Sequence, residues 1–257
     1  MTDLSACIAF LDAMLETDRV PDYDQALNGL QLENAGTVSR VAVAVDFSSA
    51  AVVQAVGTGA DLLIVHHGMF WGEPRPIVAS RYARLRTAMA HNLAVYASHI
   101  PLDVHPTVGN NARLAHVLDL VPTHSFGRYR TIHVGVGGTS DLATEQLIDR
   151  VRAFAEPLGT QVVATPCTAG RRTAHWAIVT GAGASTATLD EAAEAGVDTL
   201  IVGEGPHHTA VEAVERGIAV IYAGHYATET LGVQALGNAI EREFGLPWTF
   251  LHVPTGL

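Results

Sequence analysis

Residues 59–68 read GADLLIVHHG, and residues 196–205 read GVDTLIVGEG. Each stretch is a glycine turn, an Asp, a short apolar run and a polar end. Unbroken Leu/Ile/Val runs of this length suit strands buried on both faces. Each is followed by a second matched stretch, AVYASHIPLD at 94–103 and VIYAGHYATE at 220–229, which puts His99 and His225 at equivalent places. The same helix–strand–helix–strand unit thus occurs twice. The alternation of buried strands and helices predicts an α/β protein with a largely parallel or mixed sheet, and the repeat predicts two halves of similar topology. Ligands of open α/β sheets usually bind beyond the strand C-termini, so the cleft is expected where those ends converge.

Working outward, VAVAV (41–45) closed by Asp46, LAVYAS (93–98), AIVTG (177–181), TLIVG (199–203), AVIYAG (219–224) and WTFLHV (248–253) read as strands. Apolar spacing predicts helices over 4–15, 79–90, 144–155, 186–194, 207–216 and 228–243. Ser48 or Ser49 can cap a helix running to about Val56, and Asn110 or Asn111 can start one running to about Leu118. Asn28-Gly29 and HIPLDVHPT (99–107) read as loops. The middle is less regular: IHVGV (132–136) is a strand, the following Gly-Gly a turn, and QVVAT (161–165) another strand. This organises the 257 residues as a single domain, with halves at about 1–124 and 176–257 and a linking segment at 125–175.

Composition narrows the function. A formal net charge of −11 repels phosphate backbones and disfavours general nucleic-acid binding. All 15 cations are Arg, so Schiff-base chemistry, pyridoxal-phosphate attachment and the P-loop lysine are excluded. Cys7 and Cys167 cannot build a disulfide framework or a four-thiolate metal site, and they read as small buried side chains in a reducing compartment. The N-terminal MTDLSACIAFLDAMLETD lacks the basic start of a signal peptide, and no apolar run approaches membrane-spanning length. A cytoplasmic protein without a membrane partner is expected.

The chemistry sits at strand ends. His66-His67, His99-x-x-x-Asp103, Glu204 and His225-x-x-x-Glu229 each follow an apolar strand. Imidazole with carboxylate suits zinc, iron, manganese, cobalt or nickel. Adjacent histidines on a regular strand point to opposite faces, but a strand end followed by Gly68 can turn both toward one cleft. They would then serve two ions more easily than one. Glu229, expected in the first turn of a helix, is kept ionised there, as a ligand must be, and a carboxylate can bridge two ions. Any one of these residues could also be an ordinary hydrogen-bonding side chain. Their matched placement in two repeats makes the joint case for a metal site. No HExxH, GxSxG or Cys–His arrangement is present. The glycine runs GVGGTS (135–140) and TGAGAS (180–185) read as turns, with only faint similarity to phosphate loops.

LIVHHGMFW (63–71), HIPLDVHPTVGNNARLA (99–115), the C-terminal VGEG…YAGHYATETLGVQAL (202–236) and NGLQLE (28–33) together resemble the Nif-three-like family, also called GTP cyclohydrolase 1 type 2 homologues, in its short bacterial form. The resemblance covers essentially the whole chain. It implies two interlinked α/β halves, a homohexameric ring, and two divalent metal ions per chain. It assigns His66 and His67 one to each ion, Asp103 and His225 as further ligands, and Glu229 as the bridge. His99 is either an added ligand or a near neighbour, and Glu204 lies near the site. Tyr226 stands where many relatives have a second histidine, which puts any proton-transfer role of that histidine in doubt. Tyr226, Glu204 and His99 are the candidates for a catalytic proton donor; no organic cofactor-binding residues are implied.

The function implied is a dinuclear-metal-dependent hydrolase that opens the guanine imidazole ring of GTP and releases formate. Two ions sharing a water lower its pKa and polarise the substrate. Arg75, Arg81, Arg84, Arg86 and Arg113 lie near the first motifs as candidate phosphate cations, or as solvated helix faces. The alternatives are a metal-dependent phosphoesterase, and a metal-delivery or scaffold protein without turnover. A nucleotide-binding regulator is weaker, because it needs a phosphate-cradling loop.

Overall fold

The structure is a computed structural model that describes residues 1–70 and 75–257. The Trp71 end of LIVHHGMFW and part of the turn expected toward Pro76 fall outside the described residues. Packing divides the chain into two compact units, Met1–Leu102 with Gly232–Val253, and Asp103–Leu231 with Pro254–Leu257.

In chain order the elements begin with β1 (Thr2–Asp3), α1 (Leu4–Leu15), β2 (Gly29–Leu32), β3 (Thr37–Val38), β4 (Val41–Asp46), α2 (Ser49–Gly57), β5 (Leu62–His67), α3 (Ala79–Ala90), β6 (Ala94–Ala97) and α4 (Ile100–Asp103). They continue with α5 (Asn110–Val117), β7 (His124–Tyr129), β8 (Ile132–Ala143), α6 (Thr144–Ala155), β9 (Val163–Ala164), β10 (Arg172–Val179), α7 (Thr186–Glu194), β11 (Thr199–Val202), α8 (His207–Glu215), β12 (Ala219–Tyr222), α9 (His225–Phe244) and β13 (Trp248–Phe250).

The first unit holds a five-stranded sheet in the order β13-β4-β5-β6-β2. β13, β4, β5 and β6 run parallel, and β2 closes the edge antiparallel to β6. Alternate strand residues serve opposite faces. Ala42, Ala44, Leu63, Val65 and Val95 pack against Ala51, Val52 and Ala55 of α2 and Ala88 of α3. Val41, Val43, Leu62, Ile64 and Tyr96 alternate with them and are also fully buried. Tyr96 donates its hydroxyl to Asp12 of α1 at 2.9 Å, which ties that helix to the unit. Ser48 caps α2 as expected, its hydroxyl accepting from the Ala51 amide at 3.1 Å.

The second unit holds a six-stranded sheet in the order β7-β8-β10-β11-β12-β9. Its centre, β10-β11-β12, is parallel, the same arrangement as β4-β5-β6 in the first unit. The repeat read from sequence is therefore a repeat of structure. Trp176, Ile178, Ile201 and Ile221 pack against α5 and α6 through Leu114, Leu118, Leu147 and Val151. Ala177, Val179, Leu200 and Val220 pack against α7 and α8 through Leu189, Ala192 and Ala213. Burying each large aliphatic side chain contributes about 1.5–3 kcal/mol, and helices on both sheet faces use the whole apolar pattern of the strands.

Several local expectations are corrected. β8 runs straight through Gly137-Gly138, which is not a turn. A Cβ on Gly137 would strike the His124 ring, and one on Gly138 the Trp176 ring and the Val121 carbonyl, so these glycines permit close approach within a strand. QVVAT supplies only the two-residue edge strand β9. The loop HIPLDVHPT contains the short helix α4, and Gly29 opens strand β2. Helix α9 starts at His225, three residues earlier than expected, so Glu229 is its fifth residue and not in its first turn. Among the described residues no helix is long and apolar enough to cross a membrane.

Candidate metal centre

In the first unit the chemistry gathers at the C-terminal ends of the parallel strands. β5 ends in His66 and His67, β4 ends in Asp46, and His99 follows β6. One ring nitrogen from each of His66, His67 and His99 lies within 4.8 Å of the other two. The His66 and His67 ring centroids are 4.6 Å apart, although strand alternation would send the two side chains to opposite faces. His99 lies 5.0 Å from the His66 ring and 5.6 Å from that of His67.

Each of these rings is held through Nδ1. His66 Nδ1 meets the Ser98 carbonyl at 2.8 Å, His67 Nδ1 meets Asp46 Oδ1 at 2.9 Å, and His99 Nδ1 meets Asp22 Oδ1 at 2.8 Å. A carbonyl or carboxylate accepts, so Nδ1 carries the proton and Nε2 is the nitrogen left to ligate. Metal-binding histidines are commonly oriented in this way. Of the two carboxylate acceptors Asp22 is the more enclosed, its side chain 6% exposed against 35% for Asp46. Burial pushes its carboxyl up, but donors from His99, Asn28 and the Tyr23 amide outweigh that and hold it below the usual value.

In the second unit the strand ends also carry the chemistry. His225 opens α9 just past β12, Glu204 follows β11, and Thr180-Gly181 follow β10. His225 Nδ1 meets Glu204 Oε1 at 2.8 Å, and its Nε2 lies 3.1 Å from Glu229 Oε2, one helical turn on. Burial pushes the His225 imidazole down. The hydrogen bond and charge of Glu229, then those of Glu204, act the other way and bring it up to about 9. Glu229 is 2% exposed, and its carboxylate lies over Gly181, whose φ of +62° and missing Cβ leave it room.

Asp103 stands at the same end of this sheet. Its Oδ1 accepts from Asn110 Nδ2 at 2.8 Å and lies 3.5 Å from the Thr180 hydroxyl. Asn111 donates to the Asp103 and Val134 carbonyls and accepts from the Thr180 amide. The paired asparagines were expected to start a helix. Asn110 does open α5, with Gly109 in the cap position; the Asn110 side chain holds the Asp103 carboxylate, and that of Asn111 ties Asp103 to Val134 and Thr180.

Thus the first unit brings His66, His67 and His99 together, and the second joins His225, Glu229 and Glu204, with Asp103 fixed beside Thr180. Tyr226 is 3% exposed, in the first turn of α9. A cavity of about 330 Å³ in the second unit is walled by Thr160, Gln161, Glu204, His207 and Tyr222, so Glu204 faces both a cavity and His225. Of the candidate phosphate cations, Arg84 donates to the Phe47 carbonyl at 2.8 Å and stacks on its ring, Arg86 lies over Tyr82, and Arg81 donates to the Arg75 carbonyl. Sequence reasoning missed Asp22, the Ser98 carbonyl and the role of Asn110. Only Asp46, closing its apolar strand, stood at a place that could have signalled one.

The donor chemistry fits a metal. Nε2 is the nitrogen that His66, His67 and His99 can each offer to an ion, and Asp103 and Glu229 add carboxylate oxygens, a donor set that suits a divalent metal. The three-imidazole cluster alone could hold one ion.

The fold and site define an α/β chain with a twice-built parallel core and, at its strand ends, imidazole–carboxylate clusters of which one could hold a metal ion. Residues 2–255 match the Duf34/NIF3 (NGG1p interacting factor 3) family. The chain is 43% identical over 236 residues to a GTP cyclohydrolase 1 type 2 homolog of Deinococcus radiodurans, covering 91% of this chain and 88% of that protein. The crystal structure of TTHA1606 from Thermus thermophilus superposes with a TM-score of 0.86 at 39% identity over 100% of both chains. The solved structure of protein ybgI, described as of unknown function, gives a TM-score of 0.89 at 32% identity, again over 100% of both. The chain belongs to the Duf34/NIF3 family, and its fold is the mixed α/β fold of that family.

Proposed function

We propose that this chain is a dinuclear-metal-dependent hydrolase acting on a nucleotide, opening the guanine imidazole ring of GTP with release of formate. His66, His67, Asp103, His225 and Glu229 are the residues that would hold the two divalent ions, as the family resemblance implies. The observation that carries this reading is the common orientation of the His66 and His67 rings, each engaged through Nδ1 so that Nε2 is offered, with His225 likewise held through Nδ1 by Glu204 and its Nε2 facing Glu229. Divalent ions in such a set supply Lewis acidity and activate water at neutral pH.

The chain's own residues do the rest. Asn110 and Thr180 fix one oxygen of Asp103, and Asp46 and Glu204 hold the His67 and His225 rings. Glu204 is the best placed of the three candidate proton-handling groups. Its side chain is 40% exposed in a cavity wall with Oε2 not committed to the His225 ring, whereas His99 is 12% and Tyr226 3% exposed. Relatives named GTP cyclohydrolase 1 type 2 homolog support GTP as substrate. Assembly into a homohexameric ring in the cytoplasm belongs to the same reading.

The test is metal-by-metal. Metal-free protein is reloaded with zinc, manganese, iron, cobalt or nickel and given GTP and a phosphodiester, with formate and phosphate followed separately. Metal-dependent formate that disappears in Glu229→Ala supports the proposal. Phosphate without formate makes the protein a phosphoesterase. Tightly bound ions with neither product make it a metal-delivery or scaffold protein. Light scattering reads the assembly.

A further inference from the structure

We propose that Asp22 is a positioning residue for His99, fixing its ring as the Nδ1-protonated tautomer so that Nε2 is the nitrogen offered to the His66–His67 pair. That Nε2 then ligates a metal rests on the reading above; the tautomer does not.

The argument begins with the number of donors on one carboxylate. Asp22 Oδ1 accepts from the His99 ring at 2.8 Å and from the Tyr23 amide at 2.7 Å. Asp22 Oδ2 accepts from Asn28 Nδ2 at 2.9 Å and from the Ile100 amide at 3.1 Å. Asn28 returns the arrangement by accepting the His99 backbone N–H on its Oδ1 at 2.7 Å. Backbone and ring of His99 are thus held by the same two side chains. Tyr23 stacks on the ring at 5.7 Å between centroids, restricting its rotation.

An ionised carboxylate only accepts. It therefore requires a proton on the His99 nitrogen that faces it. A histidine in water prefers the other tautomer, with the proton on Nε2, and that form has no lone pair to offer the neighbouring imidazoles. Asp22 reverses the preference. Asn28, in the NGLQLE stretch, acquires a physical role as the clamp between Asp22 and His99.

The experiment uses the full-length, metal-free protein labelled with ¹⁵N-histidine, with His99 assigned by comparison with His99→Gln. Two-bond ¹H–¹⁵N spectra report the tautomer, and zinc titration reports affinity. Wild type is expected to show the Nδ1–H pattern at His99. Asp22→Ala is expected to shift the ring toward Nε2–H and to weaken zinc about 10–100-fold, the usual cost of removing a group that orients a ligand. Asp22→Asn preserves the shape of the site, so it serves if the alanine variant fails to fold. Its amide can satisfy only two of the four donors, and intermediate values are expected.

A wild-type His99 in the Nε2–H form overturns the proposal. So does a ring that stays Nδ1–H in both variants, whether or not zinc is lost. If the tautomer shifts as stated but wild type binds no zinc, the positioning role stands and the metal reading of this cluster fails.

Discussion

Asp46 and His67 face each other across the parallel register of β4 and β5, and the Asp46 carboxylate holds His67 Nδ1 at 2.9 Å. Two neighbouring strands thus supply a candidate ligand and the group that orients it. Asp46→Ala removes the acceptor at a position 35% exposed, so the fold should tolerate it. Zinc affinity is expected to fall about 10–100-fold, with thermal melting of the metal-free protein unchanged. Calorimetric titration and a melting curve together check this.

Gly138→Ala tests the correction to the strand β8. A methyl there would overlap the Trp176 ring and the Val121 carbonyl, and Trp176 is fully buried. The expected loss is about 1–3 kcal/mol, the usual cost of overpacking. Urea denaturation measures it; a loss near zero would mean that the strand has room.

The repeated unit was legible because its strands are buried on both faces, and buried strands are written as unbroken apolar runs. β4, β5, β11 and β12 all fall where those runs predict. β7 and the extension of β8 were not legible. HVGVGGTS lacks such a run, and its glycines answer to the His124 and Trp176 rings, which no local pattern announces. The strand-end histidines could be read because they close those same runs. Asp22 could not, since it sits in a loop after Pro21 and meets His99 from 77 residues away.

Gly181→Ala probes the seat of Glu229. Gly181 and Gly196 both have positive φ, +62° and +71°, but a Cβ on Gly196 would meet nothing, whereas one on Gly181 would strike the Glu229 carboxylate and touch the His225 ring. The backbone term costs about 1–2 kcal/mol at either position. Gly181→Ala should exceed Gly196→Ala in stability loss, and only Gly181→Ala should weaken zinc binding. Parallel denaturation and zinc titrations of the two variants decide it.

The two cysteines should behave oppositely. Cys7 is fully buried and Cys167 exposed. Burial, then the charges of Asp61 and Asp3, push the Cys7 thiol from its ordinary 9.0 up to about 11. Iodoacetamide at mildly alkaline pH should label Cys167 and spare Cys7 until the protein unfolds. Because the folded value is raised, the contribution of neutral Cys7 to stability is fully present below about 9 and is lost as pH rises through about 11. Comparing wild type with Cys7→Ala across that range by denaturation, with mass spectrometry for the labelling, checks both statements.

The most direct test of the dinuclear centre is the number of divalent ions bound per chain at equilibrium, measured by elemental analysis after dialysis against zinc or manganese, for wild type and Glu229→Ala. Two ions in wild type, with at least one lost in Glu229→Ala, is the predicted result. No stoichiometric ion in wild type, or a count that Glu229→Ala leaves unchanged, would contradict it.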